Sequence, residues 1–222
     1  MNPIPIHLAP DCQNLIRVGV LQFAHLTCQK KNEALWEQIR QLEERYRAQF
    51  KTPSMALDLL KPARKLYYAI GMEPTRIRPS SEALFRRVIK GKPLYQINSI
   101  VDVGNYCSLA YLLPIGMYDA AKIQGDVVLR KGKEGESYPG IGKDEIHLYN
   151  RLTVADRMGP FGNPSSDSLR TSITLDTRDV LMIIFAPSFY PESELKIHLE
   201  FSATTMLHYH PGAELVRSDI LP

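Results

Sequence analysis

The sequence changes character at Pro114, and this limits what the chain can fold into. Upstream, apolar residues recur at helical spacing. Leu35, Ile39, Leu42, Tyr46 and Phe50 make one stripe, with Glu and Arg opposite, the pattern of an amphipathic helix. Asn32 stands where its N-cap belongs. Ser54 caps the next segment, Pro62 interrupts or restarts it, and residues 63–70 read as a short helix stopped by Gly71. Pro79-Ser80-Ser81-Glu82 opens another helix, with either serine as cap and Glu82 suited to the positive end of the helix dipole. Leu84, Phe85, Val88 and Ile89 form its buried face, which leaves Arg86, Arg87 and Lys90 on the outer one. Residues 99–113 make a more apolar helix that carries Gly104 and Asn105 at its middle, where an ordinary surface helix avoids them.

Downstream, short β-type runs at 126–130, 145–149 and 179–185 are separated by glycines and prolines. Residues 114–119 read as a turn and 156–168 as a long polar loop, a kind of segment that often carries function. A last helix at 191–209 and a last strand at 214–221 follow, while residues 15–24 form an early strand. There is no internal repeat, low-complexity tract or linker. The expectation is one α+β domain over residues 1–222, in which 126–185 forms a mostly antiparallel sheet packed on helices at 81–90 and 99–113. A chain of 222 residues buries about 70% of its unfolded surface and needs no disulfide or metal staple.

The net charge of +3 does not by itself mark a nucleic-acid binder, but its distribution is uneven. Between Lys61 and Lys92 nine basic residues face only Glu73 and Glu82, so this window carries +7 and the rest of the chain −4. Such asymmetry attracts phosphates, or else is a solvated basic surface. Three cysteines, Cys12, Cys28 and Cys107, contain no C-x-x-C pair and are expected to be reduced. The N-terminus has no signal-peptide pattern and no stretch is apolar enough for a membrane span, so a cytoplasmic location away from membranes is expected.

An ordered set of motifs then narrows the reading. It comprises Arg76-Ile77-Arg78-Pro79-Ser80-Ser81-Glu82-Ala83-Leu84, Val101-Asp102-Val103-Gly104-Asn105-Tyr106 and Leu113-Pro114-Ile115-Gly116-Met117-Tyr118-Asp119. Val128-Leu129-Arg130, Gly135-Glu136, Val154-Ala155-Asp156 and Asp176-Thr177-Arg178-Asp179-Val180-Leu181 complete it. Together, over residues 75–222, these resemble the B3/4 domain of the phenylalanyl-tRNA synthetase β subunit, and more closely the stand-alone bacterial proteins built from that domain. Residues 1–74 match only loosely. The resemblance implies the synthetase domain's α+β fold and a pocket for an aminoacyl group beside a tRNA end. In synthetases that pocket clears wrongly attached tyrosine, a second sieve where binding alone discriminates too weakly. The chain departs from the editing motif. Gly116 stands where the synthetase has histidine, no glutamate occurs between Glu145 and Glu192, and the threonine–x–alanine element has no counterpart.

The expected function is therefore that of a tRNA- or RNA-associated protein, either a trans-acting aminoacyl-tRNA hydrolase of altered specificity or a non-catalytic module that binds RNA or a small amino-acid-like ligand. Its pocket is expected between the 114–119 turn, the 156–171 segment and the central helix, with Asn105, Gly116, Asp119, Ser168 and Arg170 as lining. Asp167 and Thr171 are the candidate catalytic groups, because an acid, hydroxyls and a guanidinium gather there within five residues; turn chemistry explains the same composition. Asp102, Asn105 and Asp119 also suit buried structural roles. Arg76, Arg78, Arg86, Arg87 and Lys90 are the candidate RNA contacts. His208-Tyr209-His210 reads as a polar helix end and Cys107 as a small hydrophobe, so no metal site and no cofactor are expected.

Overall fold

The computed structural model describes residues 2–142 and 144–222. The chain begins with β1 (Ile6–Leu8) and β2 (Ile16–Ala24), then runs through α1 (Glu33–Gln49), α2 (Leu57–Ala69), α3 (Ser80–Ile89) and α4 (Ser99–Tyr111). β3 (Ile115–Asp119), β4 (Val127–Lys131), β5 (Ser137–Pro139), β6 (Glu145–His147), β7 (Leu152–Asp156), β8 (Gly159–Gly162) and β9 (Val180–Pro187) follow. The chain closes with α5 (Glu192–Tyr209) and β10 (Glu214–Leu221). The α+β class is as the sequence indicates.

Strand β9 explains the layering. All eight of its residues are buried, and a strand that is apolar on both faces needs cover on both sides. Leu181, Ile183 and Phe185 point to one core, together with Ile16, Val18 and Val20 of β2. Val180, Met182, Ile184 and Ala186 point to the other, with Leu21 and Phe23. This is the period-2 alternation of a pleated strand. The central sheet has the order β10-β2-β9-β3 and is antiparallel throughout. Helices α1, α3, α4 and α5 cover one face. A second sheet, β1-β4-β7-β8, covers the other with help from Leu66 and Tyr67 of α2. Burying each such Leu, Ile or Phe contributes roughly 1.5–3 kcal/mol. Among the described residues no helix is long and apolar enough to cross a membrane.

Several sequence expectations need correction. Residues 126–185 do not make one sheet: β4, β7 and β8 join β1, with β1 parallel to β4, whereas β9 joins the central sheet. Residues 114–119 are not a turn but hold strand β3, and the 156–168 segment contains β8. Pro160 is tolerated in β8 because that strand lies at a sheet edge. Pro62 does not interrupt α2; the carbonyl deprived of its partner is that of Asp58, an exposed residue of the first turn. Neither serine caps α3. Ser80 Oγ donates to the Pro164 carbonyl at 3.1 Å and Ser81 Oγ to the Leu112 carbonyl at 2.9 Å, so both fasten α3 to neighbouring segments instead.

The outer face of α3 also departs from expectation. Glu82 is buried, with 1% of its side chain exposed, and it draws arginines toward it. Arg64 of α2 makes two bonds to it, each at 2.7 Å, and Arg86 one at 2.6 Å. Arg86 is therefore committed to an ion pair rather than free on the surface. Burial alone would raise the Glu82 pKa. The hydrogen bonds and charges of Arg64 and Arg86 outweigh burial and hold the group below its ordinary value of 4.5. A depressed folded-state pKa gives stability that is present above the unfolded value and lost as pH falls through the folded one. Glu82→Gln should lower stability by about 2–3 kcal/mol at neutral pH in urea denaturation, since it strands two guanidiniums. The deficit should shrink as the pH is lowered below 4.5; a deficit that is the same at pH 3 and pH 7 contradicts this role for the ionised carboxylate.

Candidate functional site

A concavity of about 500 Å³ lies between α3, α4, β3 and the segment after β8. Its position follows from strand parity. Ile115 and Met117 of β3 face it, together with Val101 of α4 and Ile173. Met117 can lie flat on α4 because residue 104 is glycine; a methyl group there would overlap the Met117 sulfur. The glycine that is unfavourable for a helix is thus what allows the close approach of β3.

One end of the cavity is polar. Asp167 is the only acid among the lining residues, which also include Arg78, Asn105, Ser80, Ser108, Ser165 and Ser172. The segment that carries Asp167 is held from several sides. Asn163 Oδ1 accepts from the Ser165 and Ser166 amides at 2.7 and 3.0 Å, an Asx turn. Its Nδ2 donates to the Tyr138 hydroxyl at 2.8 Å, and that hydroxyl donates to the Ser166 carbonyl at 2.6 Å. Tyr67 and Ser80 hydroxyls both donate to the Pro164 carbonyl, at 2.9 and 3.1 Å. The Met117 amide approaches Asp167 Oδ2 at 3.5 Å. The lining serines mostly spend their hydroxyls on the protein, Ser108 on the Leu113 carbonyl and Ser172 on the Leu169 carbonyl. The Asn105 side chain makes no hydrogen bond among the described residues, so its amide is available to a ligand.

The other expected lining residues lie elsewhere. Gly116 faces away from the cavity, because it alternates with Ile115 and Met117 along β3. The space it frees is filled: a Cβ at Gly116 or at Gly162 would overlap the Tyr118 hydroxyl. Tyr118 is fully buried, packs edge-on against Phe161 with centroids 4.9 Å apart, and lies close to Asp167 without a hydrogen bond of ordinary geometry. Burial and the Asp167 charge keep its phenol protonated well above the usual range. Asp119 accepts from the Thr177 hydroxyl at 2.9 Å and pairs with Lys122 at 3.3 Å. It ties the end of β3 to the segment before β9 rather than to the central helix. Arg170 makes a two-pronged pair with Asp156, at 3.0 and 2.9 Å. Ser168 and Thr171 are buried, and the Thr171 hydroxyl rests 3.5 Å from both the Ser168 hydroxyl and the Phe161 carbonyl. Of the two candidate catalytic groups, only Asp167 lines the cavity.

Among the candidate RNA contacts, Arg76, Arg78 and Lys90 are exposed, and Arg78 also lines the cavity. Arg87 lies over the Tyr95 ring at 3.8 Å and donates to the Pro93 carbonyl at 2.6 Å. Asp102 accepts from Trp36 Nε1 at 2.8 Å and from the Ile97 amide at 3.0 Å, a buried structural bridge. His210 is buried, its Nε2 meeting the Ser99 hydroxyl at 2.9 Å and its Nδ1 the Met206 carbonyl at 3.0 Å; burial lowers its pKa. Burial pushes the Cys107 thiol up to about 12, so it holds no thiolate near neutral pH. No group of three His, Cys, Asp or Glu residues placed to hold a metal occurs among the described residues.

Sequence reasoning missed Tyr67, Tyr138 and Asn163, which fix the Asp167 segment. Asn163-Pro164-Ser165-Ser166 carries the local signal of an Asx turn, whereas the two tyrosines reach it from 25 to 97 residues away and leave no local trace. Because the Tyr118 hydroxyl has no partner of ordinary geometry, Tyr118→Phe should change stability by less than about 1 kcal/mol. Gly104→Ala should cost about 1–3 kcal/mol by overpacking. Urea midpoints check both, and the opposite ranking contradicts the packing described.

Comparison with known proteins gives consistent matches. The family model described as the B3/4 domain matches residues 62–203, so the match starts fourteen residues before the first motif residue, Arg76. The phenylalanine–tRNA ligase β subunit of Aquifex aeolicus (strain VF5) is 30% identical over 107 residues, covering 42% of this chain and 14% of that subunit. The same subunit of Wolbachia sp. subsp. Brugia malayi (strain TRS) is 38% identical over 58 residues, covering 26% of this chain and 7% of that one. The chain thus spans a small part of these relatives' length. Among solved structures, an N-terminal fragment of the phenylalanyl-tRNA synthetase β subunit from Pyrococcus horikoshii superposes with a TM-score of 0.52 at 13% identity. It covers 100% of this chain and 55% of that one, and at this identity the likeness is one of fold.

Proposed function

The chain belongs to the B3/4 domain family, and on that premise we propose that it is a tRNA-associated protein whose cavity receives the aminoacyl group of a charged tRNA. In this reading residues 1–222 act as one B3/4-like unit in the cytoplasm, and the ester that joins amino acid to ribose is the bond at risk. The observation that carries the reading is the cavity itself. Its volume of about 500 Å³ falls within the usual range for small-ligand sites. Its walls of Val101, Ile115, Met117 and Ile173 suit an amino-acid side chain. Asp167 suits the ammonium group, the Asn105 amide the ester carbonyl, and Arg78 a phosphate of the RNA end.

In hydrolysis a water attacks the ester carbonyl, the carbonyl–oxygen bond to ribose breaks, and the proton of the water passes to the departing ribose oxygen. Asp167 is the one ionisable acid among the lining residues placed to orient the ammonium or that water. Among the described residues no histidine or cysteine lines the cavity, which favours a slow hydrolase and sustains a second reading, a module that binds the aminoacyl end without turnover. The RNA would be met by exposed Arg76, Arg78 and Lys90, with Arg87 and Arg86 held partly by Tyr95 and Glu82.

The test is deacylation of a panel of mischarged tRNAs. Asp167→Ala should lower the rate at least 100-fold, within the span typical of a group that moves or orients a proton. Thr171→Val should change it little, since that hydroxyl is buried away from the cavity. Equal loss from both variants contradicts the assignment. If the panel is untouched while binding persists, the non-catalytic module replaces the hydrolase. For RNA affinity, Arg76→Ser with Lys90→Ser should flatten the slope of log affinity against log salt by about 0.7 for each phosphate no longer neutralised. An unchanged slope makes these residues solvated surface only.

A further inference from the structure

A second concavity, of about 290 Å³, lies at the C-terminal end of α4, away from the Asp167 cavity. Tyr46, Tyr111 and Tyr190 line it together with aliphatic residues, and Asp58 and Glu194 are the charged residues among its described lining. We propose that this is a site for a small organic cation, an ammonium or quaternary ammonium group, held between tyrosine rings and two carboxylates.

Three independent features favour a cation. First, no Lys, Arg or His is among the described lining residues, and the carboxylates of Asp58 and Glu194 belong to exposed residues. Second, the cavity sits where α4 ends. Ala110, Tyr111 and Leu112 line it, and the last turn of that helix carries no basic residue. The Leu109 and Ala110 carbonyls of that turn accept from the neutral Tyr46 hydroxyl, so no basic side chain of the helix opposes the negative end of its dipole. Third, aromatic rings attract organic cations through their negative faces, and the three tyrosines are held in place. Tyr46 donates to the Leu109 carbonyl at 2.9 Å, Tyr111 shares a 3.0 Å hydrogen bond with Ser202, and Tyr190 meets His198 Nε2 at 2.9 Å.

The neighbouring charges do not fill the site. Lys61 lies 4.0 Å from Asp58 with most of its side chain in solvent. Arg17 donates to the main-chain carbonyl of Tyr190, not to its ring. His198 stacks on Tyr111 at 4.3 Å, and burial lowers its pKa, so it is predominantly neutral near pH 7. Anions find no positive partner among the lining residues. A bare metal ion finds only two carboxylates and no cluster of three ligand side chains among the described residues.

The test uses the full chain and tetramethylammonium chloride, with sodium chloride and the neutral isostere tert-butanol as controls, followed by NMR at Tyr111 and Tyr190. Tetramethylammonium should give saturable shifts that neither control reproduces. Glu194→Gln should weaken binding about fivefold to tenfold, and Tyr111→Leu at least as much. The urea midpoint of each variant establishes that it is folded, and Glu194→Gln alters an exposed residue, so its result stands if Tyr111→Leu unfolds. Asp167→Asn should leave tetramethylammonium binding unchanged, which separates this site from the aminoacyl cavity. The proposal is overturned if tert-butanol binds as well, if the shifts match those of sodium chloride, if Glu194→Gln has no effect, or if Asp167→Asn abolishes binding.

Discussion

The constraint on which the structure depends is the burial of β9 on both faces. A strand reading Val-Leu-Met-Ile-Ile-Phe-Ala-Pro with every residue buried cannot lie in a sheet with one wet side. It forces helices onto one face and a second sheet onto the other, and places β2 and β3 as its two neighbours. The cavity then results from β3 being an edge strand. Its Ile115 and Met117 look toward the helices, while Gly116 and Tyr118 look toward the second sheet.

Electrostatics organise the rest. Buried Glu82 gathers Arg64 and Arg86, so a basic stretch that reads as a uniform surface in sequence is divided. One part anchors α2 to α3, and another remains exposed, with Arg76, Lys90 and Arg78, whose Nε lies 4.0 Å from Glu82. A buried carboxylate with charge-assisted bonds from two guanidiniums costs less than one left alone. The same division runs through the site. Arg170 and Asp119, both attractive as ligand contacts in sequence, are already engaged by Asp156 and Thr177. Asp167 is the acid that the fold presents to the cavity.

Much of the fold was legible in the sequence because it rests on local pattern. The stripe from Leu35 to Phe50, the Asn32 cap and the final helix and strand appear within a residue or two of their expected limits. The apolar run of β9 was legible as a strand, but which sheet it joins depends on β2, more than 150 residues away in the chain. Asn105 was legible as a polar residue in an apolar helix, and Asp167 as one of an acid, hydroxyls and a guanidinium gathered within five residues. The roles of Tyr67 and Tyr138 were not, since their contacts to residues 163–166 are set by tertiary packing alone. Gly116 misled in an instructive way. It marks a missing side chain in the motif, yet strand parity turns it from the cavity and Tyr118 fills the gap.

The proposed role of the cavity beside Asp167 and Asn105 is to receive an aminoacyl group. The most direct measurement is NMR of the full chain bound to an adenosine that carries an amino acid through a non-hydrolysable amide at its ribose. Intermolecular contacts are expected from the amino-acid side chain to Val101, Ile115, Met117 and Ile173, with the Asn105 amide shifted and the binding weakened by Asp167→Asn. Contacts confined to other surfaces, or binding that Asp167→Asn leaves unchanged, would contradict it.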